Sequence, residues 1–156
     1  MSSSKQLLVI AHTPSDNTRT LLDAVVRGAG HDDIDGVSVR HVPPLAANPD
    51  DVLAADGIIL GTTENFGYMS GALKDFFDRI YYPCLEHTEG KPYALYIKAG
   101  NDGAGAKTSV ERIITGLAWK AVIPATVLAG DFHPGFCEQC HEIGMTLAAG
   151  LEAGIY

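Results

Sequence analysis

Five short apolar runs, at residues 7–11, 37–42, 57–60, 93–97 and 125–129, alternate with stretches whose apolar residues recur at helical spacing. Runs of that length bounded by polar turns read as strands, and strands that alternate with helices are joined as a parallel sheet by right-handed crossovers. The helical stripes are Leu21, Leu22, Val25, Val26 and Ala29; Leu73, Phe76, Phe77 and Ile80; Val110, Ile113, Ile114 and Leu117; and Cys140, Ile143, Leu147 and Leu151. A shorter helix at 48–53 has Asn48 as its cap and Pro49 at its first position, where a missing N–H costs nothing. The run at 37–42 alternates polar and apolar residues as an edge strand does, and Pro43-Pro44 ends it. The expected architecture is α/β, with helix layers on both faces of a five-stranded parallel sheet of order 2-1-3-4-5. At 156 residues the chain is expected to form a single domain, 1–156, large enough to bury a core without staples.

Three of the five strand ends carry loops suited to a ligand. After the first strand come His12, Thr13, Pro14, Ser15, Asp16, Asn17 and Thr18, running into a helix capped by Ser15 or Asp16. A helix start offers unpaired N–H groups and a positive dipole end to a phosphate, and the hydroxyls add donors. The same residues would serve equally as an ordinary capped helix start. The loop lacks the glycines and lysine of a P-loop and has no G-x-G-x-x-G, which argues against a nucleoside triphosphate or a Rossmann dinucleotide here.

After the third strand comes the stretch Gly61, Thr62, Thr63, Glu64, Asn65, Phe66, Gly67, Tyr68, Met69, Ser70 and Gly71. Its glycines let backbone approach a flat ligand, Phe66 and Tyr68 offer rings, and in the helix that follows Asp75 and Arg79 stand one turn apart. The fourth strand empties into Gly100, Asn101, Asp102, Gly103 and Gly105. In the order 2-1-3-4-5 the first, third and fourth strands are neighbours around the switch point, so the three loops converge on one crevice.

A formal net charge of −8 with no basic run excludes a nucleic-acid binder, and 46% hydrophobic residues exclude a disordered chain. The first apolar run is too short for a signal peptide or a membrane span, so a cytoplasmic protein is expected. Cys84, Cys137 and Cys140 are expected as free thiols.

The segment 61–71 with Leu73, Lys74, Phe76 and Asp78 resembles the flavodoxin-like FMN-binding proteins, in particular the flavodoxin-fold NAD(P)H:quinone oxidoreductases and FMN reductases. The resemblance covers nearly the whole chain and implies a three-layer α/β/α flavodoxin-like fold. It implies that Thr62, Thr63, Glu64, Asn65, Phe66, Gly67 and Tyr68 bind the flavin ring and ribityl chain. His12, Thr13, Ser15, Asn17 and Thr18 would hold the phosphate, and Gly100, Asn101, Asp102, Gly103 and Gly105 the polar edge of the ring. Thr63 stands where the family has proline and Asp16 where glycine is common, so the Asp16 carboxylate is expected to turn away from the phosphate.

The function implied is an oxidoreductase passing electrons from NAD(P)H through FMN to a quinone or similar acceptor. The alternative is a flavodoxin-type carrier between redox partner proteins, whose docking an acidic surface would favour; a homodimer is compatible with either. With the flavin supplying the chemistry, no side chain is expected as nucleophile, general acid or base, and no metal is expected. Cys137, Cys140 and His141 spell C-x-x-C-H, but Cys140 lies on an apolar stripe, which favours a buried packing role over haem, a redox pair, or zinc with His133. Trp119 is expected to pack rather than touch the flavin, while Phe132 is open to either role.

Overall fold

The structure is a computed structural model that describes residues 4–156. Strands β1 (Lys5–Ala11), β3 (Gly57–Asn65) and β5 (Pro92–Ala99) form the centre of the sheet, with β2 (Val37–Val42) on the outer flank of β1, all parallel. Helices α1 (Asp16–Ala29) and α5 (Gly135–Ala153) cover one face; α2 (Pro49–Ala54), α3 (Gly71–Cys84) and α4 (Ala104–Leu117) cover the other. Side chains alternate across each strand, so the sheet feeds two cores: Leu8, Ile10, Ile58 and Leu60 face α3 and α4, while Leu7, Val9, Ile59 and Ala94 face α1 and α5. Phe76 and Phe77 are fully buried, each contributing roughly 1.5–3 kcal/mol by area.

Two corrections to the five-stranded order 2-1-3-4-5 follow. The described residues form seven strands, because β4 (Tyr68–Met69) and β6 (Lys120–Ala121) are added to the five apolar runs, the last of which is β7 (Thr126–Ala129). The path runs β2-β1-β3-β5-β6, with β4 antiparallel on β3 and β7 also on β5. β6 pairs with Pro92 and Tyr93, and β7 with the segment Tyr96 to Ala99, so the outer flank of β5 is covered by two short pieces. Pro124 lies between them and has no N–H to give a ladder. The second correction concerns residues 61–65, expected as loop, which continue β3 as extended strand.

Local signals account for the helix starts. Ser15, not Asp16, is the cap of α1, and it exchanges bonds with Thr18 in a capping box; Asn48 and Asp51 do the same for α2. The pair Asp75–Arg79 is formed at 2.7 Å. The Arg79 guanidinium also donates to the carbonyls of Pro44 and Ala47, fastening the turn after β2 to α3.

Trp119 packs between Phe77 and Tyr93 and donates to Thr88 Oγ1 at 2.8 Å. All three cysteines are free thiols; Cys140 is buried, and burial pushes its thiol up to about 12. Among the described residues no three His, Cys, Asp or Glu side chains are grouped to hold a metal, and no helix is long and apolar enough to cross a membrane.

Helices α1 and α5 touch backbone to backbone. A Cβ on Gly144 would stand 2.0 Å from the Val25 carbonyl oxygen, and one on Gly28 would stand 1.9 Å from that of His141. Gly144→Ala gains about 1 kcal/mol of helix propensity, but a carbonyl inside a helix cannot rotate aside, so the helices must part. Net destabilisation of about 2 kcal/mol is expected in urea unfolding.

Burial alone would raise the Asp51 carboxyl, but its bonds to Arg40 and the Asn48 N–H, with the Arg40 charge, outweigh that and hold it below the usual range. A depressed native pKa stabilises the fold fully above the unfolded carboxyl's pKa, about 3.9, and the gain is lost as pH falls through the lower native value. Asp51→Asn is expected to destabilise at pH 7 by about 1 kcal/mol and to flatten the acid limb of a stability-versus-pH curve.

Candidate functional site

The sheet's topology selects its carboxyl rim between β1 and β3 as the place to look. From β1 the chain passes to β2 on one side and then to β3 on the other, leaving a crevice where the crossovers diverge. The loops after these strands begin side by side, with the His12 N–H donating to the Gly61 carbonyl at 3.0 Å.

In the first loop the predicted hydroxyls are engaged with each other. The Ser15 N–H donates to Thr18 Oγ1 at 3.0 Å, and the Thr18 N–H donates to Ser15 Oγ at 3.2 Å. This leaves the N–H groups of Asp16 and Asn17, in the first turn of α1, with no protein partner among the described residues, directed as a helix start directs them. The Asp16 carboxylate pairs with Arg19 and is almost fully exposed. Thr13 is half-buried and Asn17 is exposed. His12 and Thr13 also line a cleft of about 190 Å³ with Pro14, Pro44, Leu45 and Ala72. Burial lowers the His12 pKa, which keeps its imidazole neutral at pH 7.

The second loop is a hairpin. β3 and β4 pair through Glu64 with Met69 and Asn65 with Tyr68, and the turn between them is Phe66 (φ 53°) and Gly67 (φ 70°), both left-handed as a tight hairpin of this twist demands. Phe66 at the tip is fully exposed and Tyr68 is 42% exposed. Thr62 is buried: its hydroxyl donates to the Thr63 carbonyl at 2.8 Å and accepts the Ser70 N–H at 3.0 Å. Ser70 in turn caps α3 by accepting the Leu73 N–H. Thr62 thus closes the base of the hairpin, while Thr63 donates to Asn65 Oδ1 at 3.1 Å on the outside.

The third loop meets the second. α4 begins at Gly103, whose left-handed φ of 69° and lack of side chain leave the helix start without its own cap. Two carboxylates serve instead: Asp102 accepts the Ala104 N–H at 3.0 Å, and Glu64 reaches across from β3 to accept the Ala106 N–H at 3.1 Å. Ser109 accepts the Met69 N–H, and a Cβ on Gly105 would stand 1.9 Å from the Gly67 carbonyl oxygen, so the hairpin lies directly on the helix. Gly100, Asn101 and Asp102 are exposed beside it.

Lys98, absent from the predicted site, is the cation of this rim. Its Nζ donates to the Gly130 carbonyl at 2.6 Å and lies 5.6 Å from the centre of the Phe136 ring, while the Gly130 N–H returns a bond to Ala99. A lone lysine closing an apolar strand was its only sequence signal. Phe132 stacks edge-on against Phe136 in the loop so held. His133 lies on the same ring, and Cys137 is half-buried in α5.

The rim therefore offers two free N–H groups at a helix start, suited to a phosphate. It also offers backbone at Gly67 and Gly100, where an added Cβ would meet nothing within 4 Å and a flat ring can lie close. These features fit FMN.

The family described as NADPH-dependent FMN reductase matches residues 32–134. A flavodoxin of Aquifex aeolicus is 31% identical over 110 residues, 70% of this chain and 58% of that one. The quinone-oxidoreductase QR2 of Triphysaria versicolor is 36% identical over 78 residues, 48% of this chain and 37% of that one. The chain thus spans little more than half of the first relative and about a third of the second. Among solved structures, a flavodoxin from the domain Archaea superposes with a TM-score of 0.79 at 17% identity, covering 94% of this chain and 98% of that one, which establishes the flavodoxin-like three-layer fold. A match across two thirds of its length, on this fold, makes the chain a member of the NADPH-dependent FMN reductase family of flavodoxin-like FMN-binding proteins.

Proposed function

We propose that the chain holds FMN on the rim between β1 and β3 and passes electrons from NADPH to a quinone or a similar small acceptor. The observation that carries this is the pair of open N–H groups at α1 beside a hairpin with open backbone. In this reading the N–H groups of Asp16 and Asn17, with Thr13 and Asn17, hold the phosphate. Ser15 and Thr18 are positioning residues, since each already binds the other. Thr63, Asn65, Phe66 and Gly67 flank the ribityl chain and ring, and Thr62 fixes the hairpin base from inside. Gly100 to Asp102 border the polar edge of the ring. Bound FMN supplies the hydride and one-electron chemistry.

The chain's own contribution is charge and access. Glu64 and Asp102 set carboxylates beside the site, countered in part by the α4 dipole and at a distance by Lys98. A second reading, an electron carrier between proteins, is favoured by the likeness to the Aquifex aeolicus flavodoxin and by the net charge of −8. An enzyme turns over NADPH with a soluble quinone; a carrier accepts electrons only from a partner protein.

Adding FMN at a hundredfold excess over its dissociation constant should stabilise the fold by about 2.7 kcal/mol, roughly 5–10 °C in Tm, and quench flavin fluorescence. Steady-state NADPH oxidation should then depend on quinone. An unmoved Tm refutes the cofactor; binding without turnover leaves the carrier.

Glu64→Gln keeps an acceptor for the Ala106 N–H while removing the charge. The expected result is a higher reduction potential of the bound flavin with little change in Tm. An unchanged potential in a redox titration would count against a role for Glu64 in tuning.

A further inference from the structure

A cavity of about 540 Å³ lies on the flank between α3 and α4, away from the predicted phosphate loop but sharing Gly67, Tyr68 and Gly105 with the predicted ring site. That falls within the size of ligand sites, roughly 300–1,000 Å³. Its roof is the hairpin at Gly67 and Tyr68, held there by the approach of Gly67 to Gly105. Gly105, Thr108 and Arg112 project from one face of α4 at i, i+3 and i+7, and Lys74 reaches in from α3. Ile113 and the Tyr68 ring make the walls apolar, and Thr108 adds a hydroxyl.

Two cations line one cavity in a chain of net charge −8. Lys74 shares its ammonium with Asp78 at 2.6 Å, but Arg112 has no carboxylate within ion-pair distance among the described residues. An unengaged guanidinium beside an ammonium, a hydroxyl and a half-exposed aromatic ring suits a flat ring that carries a phosphate. Guanidinium binds phosphate through two parallel N–H bonds, and the ring takes the apolar wall. Gly67, Tyr68 and Gly105 belong both to this cavity and to the predicted ring site, so a two-headed molecule with one end at the ring can reach the cavity with the other.

We propose that the cavity under the hairpin is a nucleotide-phosphate site that takes the phosphorylated adenosine end of the dinucleotide donor, Arg112 gripping the phosphate with help from Lys74 and Thr108, and Tyr68 meeting the base. The inference rests on the proposed reading of NADPH as donor and assigns its specificity to Arg112.

The test titrates FMN-loaded protein with adenosine 2′,5′-bisphosphate and with adenosine by calorimetry, in the wild type, in Arg112→Gln and in Ile113→Trp, which fills the cavity. The bisphosphate should bind the wild type and weaken about tenfold or more in Arg112→Gln, the scale of a lost charge-assisted pair, while adenosine binds both forms alike. Ile113→Trp should block both ligands with Arg112 intact, which keeps the test decisive if one variant folds poorly. In turnover, the ratio of kcat/KM for NADPH to that for NADH should fall in Arg112→Gln. Bisphosphate that fails to bind, or binds all three proteins equally, overturns the site. If binding depends on Arg112 but neither dinucleotide is oxidised, the site stands and the donor reading falls. If NADPH is oxidised with an unchanged ratio in both variants, the donor reading stands and the site falls.

Discussion

The arrangement of the rim depends on a carboxylate that one element lends to another. α4 starts at a glycine and has no cap of its own, so its first N–H groups and its positive dipole end need a partner. Glu64 supplies one from β3, across 42 residues of sequence. With the Gly67–Gly105 approach and the Met69–Ser109 bond, this sets the hairpin as a rigid plate on the helix. A free strand-to-helix loop would have to be ordered when a ligand arrives, at a cost in entropy; a hairpin already fastened does not incur it.

The same economy runs through the other loops. Hydroxyls in the predicted ligand loops are turned to the backbone: Ser15 and Thr18 to each other, Thr62 to Ser70, and Ser70 to Leu73. The groups left facing outward are backbone N–H and exposed glycine backbone, whose positions are set by the fold rather than by rotamers. Arg79 extends the principle to the turn after β2, and Lys98 to the loop after β7. Bonds that cross between elements tie the loop after β1 to β3, the turn after β2 to α3, β3 to the start of α4, and β5 to the loop after β7.

Charge is distributed with the same logic. The acids nearest the rim, Glu64 and Asp102, are bound to a helix start, and Asp16 is paired with Arg19. Arg112 lines the cavity beside the hairpin and has no ion-pair partner among the described residues. Lys74 and Arg112 thus face one cavity where the hairpin meets α4, in a chain of net charge −8.

Much of this was legible in the residues alone, where the causes are local. Apolar residues at period 3.6 place Leu73, Phe76, Phe77 and Ile80 in the core, Asn48 followed by Pro49 starts α2, and Asp75 meets Arg79 because they lie one turn apart. The alternation of strands and helices dictated a parallel sheet with two helical faces. What sequence reasoning could not see depends on pairs distant along the chain. Phe66-Gly67 carries no Asn-Gly or Asp-Gly signal, so the hairpin and the continuation of β3 to Asn65 emerged only with the structure. The division of the outer flank between β6 and β7, the turning of Glu64 to α4, the engagement of Lys98 and the cavity at Arg112 all arise from packing between elements. Periodicity and capping are written in adjacent residues and so decided the helices and the five apolar strands; the two added strands, which side chains hold the rim together, and which remain for a ligand were decided by the three-dimensional approach of helices and strands.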